Sequence, residues 1–383
     1  MHDVVIVGAG PVGATLALGL RDADLDVVAL DARTKGAAAR SDRSLALSHG
    51  ARLILERLGV WPRLAATRGA VTPITRIDIS QRGGFGSTEL VAHDVDLPAL
   101  GYVVSYRALQ SALDSALACC RMSMRFGAAV ERVGATTSYA AVSLAEGEQP
   151  IVARLAVVAD GSGAKVAGMR RERKDYGHVA VTAKIALDRP HEGRAFERFT
   201  PEGPMALLPE GDEYGVVWTM TPERAERALA LPDAAFLDSL VDRFGRRVGR
   251  FVGVHSRRSF PLALEFAPST IRSRAVVIGN AAQSLHPVAG QGFNLGMRDA
   301  IELAQIIVDT PNAQLGDRQM LDAYASRRRA DRFAGIAFTD GLIQLFGNDW
   351  PLLRWPRGVA LAMLDAFPPA KRAFARAMLF GVH

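Results

Sequence analysis

"DVVIVGAGPVGATLALGLRDADLDVVALDAR", residues 3–33, decides the fold. Its apolar run at 3–8 reads as a buried strand, the spacing over 12–22 as a helix, and 26–33 as a second strand. Strand, helix and strand in that order make a βαβ unit, which implies a parallel sheet. Gly8, Gly10 and Gly13, with Pro11 among them, fill the turn between the first strand and the helix. Glycine at these points permits a tight turn, close approach of a diphosphate to the backbone, and tight helix packing. Asp31 closes the second strand 18 residues after Gly13. That lies near the offset of roughly 20 at which an acid holds ribose hydroxyls. A dinucleotide site is expected here.

One such turn would serve a simple nicotinamide dehydrogenase. This chain makes another: "VVIGNAAQSLHPVAGQGFNLGMRDA", residues 276–300, ends an apolar strand in Gly-Asn, then passes through His-Pro and Gly-Gln-Gly before a helical pattern resumes. Asn280 stands just past the strand, placed to hydrogen-bond a sugar-alcohol chain. Gly290 and Gly292 allow close approach to the backbone. Exposed amides near Gly292, Phe293 and Asn294 at a helix start would stabilise negative charge developing on a reduced ring. Pro287, with a fixed φ and no N–H, suits a rigid wall beside that ring. Two such turns point to one ligand gripped at two places. His286 invites a general-base reading because imidazole titrates near neutrality, but a structural or cavity-lining role is preferred.

The rest of the chain narrows the class. Its 383 residues suffice for more than one core, and 49% hydrophobic with 22% charged residues excludes wholesale disorder. Arginine supplies most of the basic side of a +6 net charge, notably in "RRERK" at 170–174 and "RRRADR" at 327–332. No aromatic pattern accompanies these runs, so nucleic acid is not expected as a partner; an anionic membrane surface is the more useful reading. Cys119 and Cys120 are adjacent and the eight histidines dispersed, so neither a structural disulfide nor a metal site is expected. No signal-peptide pattern opens the sequence, and no apolar run approaches the roughly 20 residues that cross a bilayer. A cytoplasmic protein with at most peripheral membrane contact is expected. Residues 142–161 suggest a hairpin leading into a buried strand, and 175–265 an antiparallel sheet of short segments with a helical excursion near 222–244. Beyond 292 the pattern is largely helical, including a long amphipathic stretch at 317–346.

"GAGPVG" with "DAR", then "VVADG" at 157–161, then "GNAAQSLHPVAGQGFNLGMRDA" occur in an order that resembles the FAD-dependent aromatic hydroxylases. Gly-Asn-Ala-Ala-Gln in place of Gly-Asp-Ala-Ala-His resembles the ubiquinone-biosynthesis hydroxylases, particularly the branch acting on 2-polyprenyl-6-methoxyphenol. "SFPLALEFA" and "TDGLIQLF" extend the likeness over nearly the whole chain. The resemblance implies an α/β fold in which a FAD-binding, Rossmann-like parallel sheet (1–72, 99–174 and 266–315) is interleaved with an antiparallel-sheet substrate domain (73–98 and 175–265). A helical C-terminal region (316–383) follows. It also implies FAD as cofactor and NADH or NADPH as transient reductant. A polyprenylated phenol and molecular oxygen are the implied substrates, with a quinone-synthesis complex and the inner membrane face as surroundings. Arg33, Arg43, Arg107 and Gln110 match positions that contact the cofactor, and Asp160 and Gly161 carry a motif tied to both flavin and nicotinamide. The chain departs from the family at Ala164 and Ala167, where serine and arginine are usual. No side chain is assigned as catalytic base. Two rival expectations are a non-catalytic flavin-binding scaffold in a quinone-synthesis complex and a hydroxylase of another aromatic substrate. A halogenase would carry a WxWxIP-type signature, which is absent.

Overall fold

The computed structural model describes residues 1–37, 43–145, 148–161, 164–245, 248–346 and 351–382. Its largest sheet grows from the βαβ opening. Strand His2–Val7 lies between Val27–Asp31 and Ile151–Val158, parallel to both. Ser123–Phe126 adds a parallel strand outside Val27–Asp31, and Ala275–Val277 runs parallel to the last residues of Ile151–Val158. The first residues of Ile151–Val158 pair antiparallel with Ala140–Leu144, which in turn pairs with Val130–Ala135. Val27–Asp31 is buried along its whole length, as a parallel strand covered on both faces must be. The helix Pro11–Gly19 lies against that sheet and is apolar nearly all round, because a second helix, Gln291–Asp309, covers its outer side. A Cβ on Gly19 would sit 2.8 Å from the Ala304 methyl, so glycine sets how closely the two helices cross.

The second sheet has eight strands drawn from residues 76–91, 172–266 and 283–284. Where short segments are expected, the chain instead makes two 16-residue strands, Glu172–Leu187 and Phe251–Phe266. They pair antiparallel through three register shifts. Ser256, at φ +57, lies within the second, so the local breaks in pattern are irregularities inside long strands and not their ends. The helical excursion is a pair, Pro222–Ala230 and Asp233–Phe244, packed on one face of this sheet around Trp218, Phe236 and Phe244. A three-stranded sheet, in the order Ser44–Ser48, Gly101–Ser105, Val71–Ile74, completes the β-structure. Its first strand ends in Ser48, whose hydroxyl accepts from the Ala51 N–H and caps helix His49–Arg57. The C-terminal region forms helices Arg318–Phe346, Pro351–Ala366 and Pro368–Phe380. Among the described residues, no helix is long and apolar enough to cross a membrane.

Candidate active site

Strand register brings the three glycine-bearing motifs together. Val7 pairs with Val158, Val158 with Val277, and Val7 with Leu30. The residues just beyond these positions are therefore neighbours: Gly8, Ala159–Asp160–Gly161, Ile278–Gly279–Asn280, and Asp31. They line the carboxyl edge of the parallel strands, where open α/β sheets bind ligands. Gly8 has φ +94, and a Cβ there would lie 2.5 Å from the Asp160 Cα. A Cβ on Gly13 would lie 1.9 Å from the Gly8 carbonyl oxygen. Gly10 differs: no described atom lies within 4 Å of where its Cβ would stand, so its backbone is bare toward the loop's outer side. Pro11 starts the helix, where its missing N–H costs nothing.

Around that loop the polar side chains are only partly engaged. Asp31 accepts from the Ala9 N–H at 3.0 Å and from the Arg33 N–H at 2.7 Å, while the Arg33 guanidinium pairs with both Asp31 and Asp114. Gln110 donates to the Ala9 carbonyl at 3.0 Å and to Asp114 at 2.7 Å, yet its buried Oε1 has no partner. Asp160 accepts from the Ala164 N–H at 2.6 Å with one carboxylate oxygen, and its other buried oxygen is also unpartnered. Unmet buried acceptors beside a bare glycine loop are what a site for a polar dinucleotide requires. Arg43 and Arg107 are exposed, and the Arg43 guanidinium lies 5.0 Å over the Tyr106 ring. Exposed Asn280 shares a polar hollow of 270 Å³ with Gly161, Arg171 and Glu265.

The second cradle is braced from behind. Gly290 enters helix Gln291–Asp309 at φ +61, against Ala46. The Asn294 side chain accepts from the Ser48 N–H at 2.8 Å and donates to the carbonyls of Ala46 and Gly290. It clamps the loop, so at this position only the backbone is left for a ligand. Pro287 is exposed on the loop's outer side, and Gly292 and Phe293 are half-buried in the first helical turn. His286 is 1% exposed, accepts from the Val288 N–H through Nδ1, and is held by burial down to a pKa of about 4. It stays neutral and packs edge-on to Tyr176, with its buried Nε2 unpartnered among the described residues.

Sequence inspection missed the brace itself. Asp299, 1% exposed, accepts from Gln283 at 2.8 Å and from the Gly279 N–H, and pairs with Arg328 at 2.9 Å. Arg328 also holds Asp331, which holds Arg298, and Arg332 donates to the Gln283 side-chain Oε1 at 2.6 Å. The Gln of Gly-Asn-Ala-Ala-Gln thus works as a strut between the loop and helix Arg318–Phe346. The signal was present in "GMRDA" and "RRRADR", whose charges read as surface but interlock across two helices.

Beyond the second cradle lies an apolar cavity of 330 Å³. Pro287, Val288 and Gly290 form one wall, the outer sheet another through Ile79, Phe199 and Leu208, and the C-terminal helices a third. Glu197 is the one ionisable side chain on its lining among the described residues.

Two glycine-bearing loops at one sheet edge, with an apolar chamber beside the second, are an arrangement that a flavin-dependent monooxygenase can use. Residues 1–336 match the FAD binding domain family. The chain is 33% identical to the ubiquinone hydroxylase UbiL of Rhodospirillum rubrum, over 98% of this chain and 88% of that protein. To the 3-demethoxyubiquinol 3-hydroxylase of Escherichia coli it is 29% identical, over 97% and 96% of the two chains. Its fold is similar to that of p-nitrophenol 4-monooxygenase PnpA from Pseudomonas putida, with TM-score 0.76 at 17% identity over 100% and 99% of the chains. The chain belongs to the FAD binding domain family, among the FAD-dependent aromatic hydroxylases related to ubiquinone biosynthesis.

Proposed function

We propose that the protein hydroxylates a polyprenylated methoxyphenol in ubiquinone biosynthesis. One atom of O₂ enters the ring as hydroxyl, the other leaves as water, and NADH or NADPH supplies the two electrons. When bound, FAD carries those electrons and activates the oxygen. The loop at Gly8, Gly10, Pro11 and Gly13 would hold the diphosphate and Asp31 a ribose, with Arg33 fixing Asp31. Gln110, Asp160 and Gly161 would meet the remaining polar groups, with Arg43 and Arg107 at the outer rim. Asn280 would hold the sugar-alcohol chain, and Pro287 with the backbone of Gly290, Gly292, Phe293 and Asn294 would face the ring. The domain limits inferred from sequence follow the same division of labour: parallel sheet for cofactor, antiparallel sheet for substrate.

The observation that carries this proposal is the apolar chamber adjoining the second cradle. Its walls exclude water from the reacting ring, which protects activated oxygen from unproductive release, and its lining suits an aromatic head with an isoprenoid tail. Helix Pro351–Ala366 supports a route for that tail. Ala360, Leu361 and Leu364 line the chamber, whereas Trp355, Val359, Met363 and then Phe367 just beyond the helix are exposed. Their four-residue spacing puts an apolar stripe on the outside of a chamber wall. Such a stripe suits contact with a membrane that holds the substrate, or with a partner that delivers it.

Anaerobic reduction by NADH or NADPH, followed by oxygen and a short-tail methoxyphenol, tests the proposal. A product heavier by one oxygen is expected, its ring position read by mass spectrometry and NMR. FAD-loaded protein without phenol-stimulated nicotinamide oxidation would return it to the scaffold alternative. Turnover of other aromatics only would replace the substrate.

A further inference from the structure

We propose that the Glu197 carboxyl receives the phenolic hydroxyl of the substrate and takes up its proton as the ring is hydroxylated. The proposal rests on the phenol hydroxylase function above. Glu197 lies on the strand Arg194–Thr200, where alternation puts it on the same face as Ala195 and Phe199, which are 2% and 5% exposed. Its partners on the adjoining strands are Ile79 and Ala206, and all four of these neighbours line the chamber. A hydrophobic residue is what such a position calls for. No hydrogen bond or ion pair engages the carboxyl among the described residues, and its surroundings offer no compensating charge. The side chain is nevertheless not sealed by protein atoms, because it opens on the chamber.

A half-buried carboxyl that faces an apolar chamber without a partner is costly and awaits one from outside the protein. Burial alone pushes its pKa up to about 8. It is therefore largely uncharged at neutral pH, which lets it face an apolar chamber at all. Near that value it is poised to exchange a proton with a phenol, whose ordinary pKa is about 10. The step balances simply: carboxylate plus phenol gives carboxyl plus phenolate, and the phenolate ring is the more electron-rich. Once oxygen is on the ring and the attacked carbon has shed its proton, the carboxyl returns its own to the phenolate oxygen. His286 lies off the chamber lining and is held neutral, and no other described lining residue ionises.

The test uses full-length, FAD-loaded protein with a short-tail methoxyphenol, comparing wild type, Glu197→Gln and Glu197→Asp between about pH 6 and 9. Single-turnover product formation and the phenolate absorbance of bound substrate are both read. Wild-type product formation is expected to rise with pH through the region of 8. Glu197→Gln should bind FAD normally, lose about a hundredfold in product formation, lose that rise, and show no phenolate band. Glu197→Asp should recover part of the rate with a displaced inflection. Glu197→Gln with wild-type rate, pH profile and phenolate band would overturn the proposal while leaving the hydroxylase function intact. Should Glu197→Gln fail to hold FAD, the aspartate variant decides, and an unmoved inflection overturns it. A wild type that hydroxylates no phenol removes the functional assignment itself, and this proposal with it.

Discussion

Replacing Gly10 by alanine separates folding from cofactor binding more cleanly than any other change in the first loop. Gly10 has φ −63 and ψ 178, an extended conformation open to any residue, and its Cβ would meet no described atom within 4 Å. The FAD-free fold should therefore be unharmed, or gain about 0.4–1 kcal/mol because alanine restricts the unfolded chain. The new methyl group stands, however, on the bare surface that the diphosphate is proposed to contact. Loss of that approach should weaken FAD binding by at least about 1.4 kcal/mol, or tenfold. Gly13→Ala is the contrast. Its Cβ would fall 1.9 Å from the Gly8 carbonyl, so the backbone must move, and the FAD-free protein should lose about 1–3 kcal/mol or more. Urea unfolding of the FAD-free proteins and FAD titration by fluorescence quenching read the two quantities independently. A Gly10→Ala protein that binds FAD like wild type would refute the assignment of this loop. One that unfolds as readily as Gly13→Ala would refute the packing argument.

Three further outcomes follow from the brace, the neutral histidine and the outer stripe. Arg328→Ala leaves the buried carboxylate of Asp299 without its cationic partner and Asp331 with Arg298 alone, and should cost about 3–5 kcal/mol in denaturant unfolding. FAD affinity should fall with it, since Asp299 steadies the Gly279 N–H; unchanged stability would show that the network is idle. His286, ordinarily near 6.5, is held at about 4, so the unfolded chain binds its proton first and stability should decline as pH falls from 6.5 toward 4. That gap amounts to about 3 kcal/mol at most, and His286→Gln should flatten this acid limb in urea midpoints measured on either side of it. Trp355→Ser combined with Met363→Ser removes two large side chains, each worth about 1.5–3 kcal/mol when buried. Flotation with anionic vesicles should fall at least about tenfold, and equal flotation of both proteins would count against lipid contact.

The parallel sheet was legible because its signals are local: apolar runs that end in glycine, and an acid at a fixed offset. The motif-bearing loops meet because their strands are in register, which the order βαβ already implies. The two long strands were not legible, since Gly177, Ser256 and Pro261 resemble breaks when only neighbours in sequence are visible. Nor were the struts. Gln283, Asp299 and Arg328 are ordinary polar residues until two helices close on them, and burial is a property of the closed arrangement. Glu197 escaped notice for the same reason. An acid at one position of an alternating strand carries no mark in sequence, and only the chamber in front of it gives it meaning.

The most direct measurement is a crystal structure of the FAD-loaded protein. One FAD per chain is expected, its diphosphate over the amides that follow Gly8 and its ring system against Pro287 and the first turn of helix Gln291–Asp309, open to the chamber that holds Glu197. A flavin ring lodged away from residues 287–294, or a first loop left empty by bound FAD, would contradict the two-cradle arrangement.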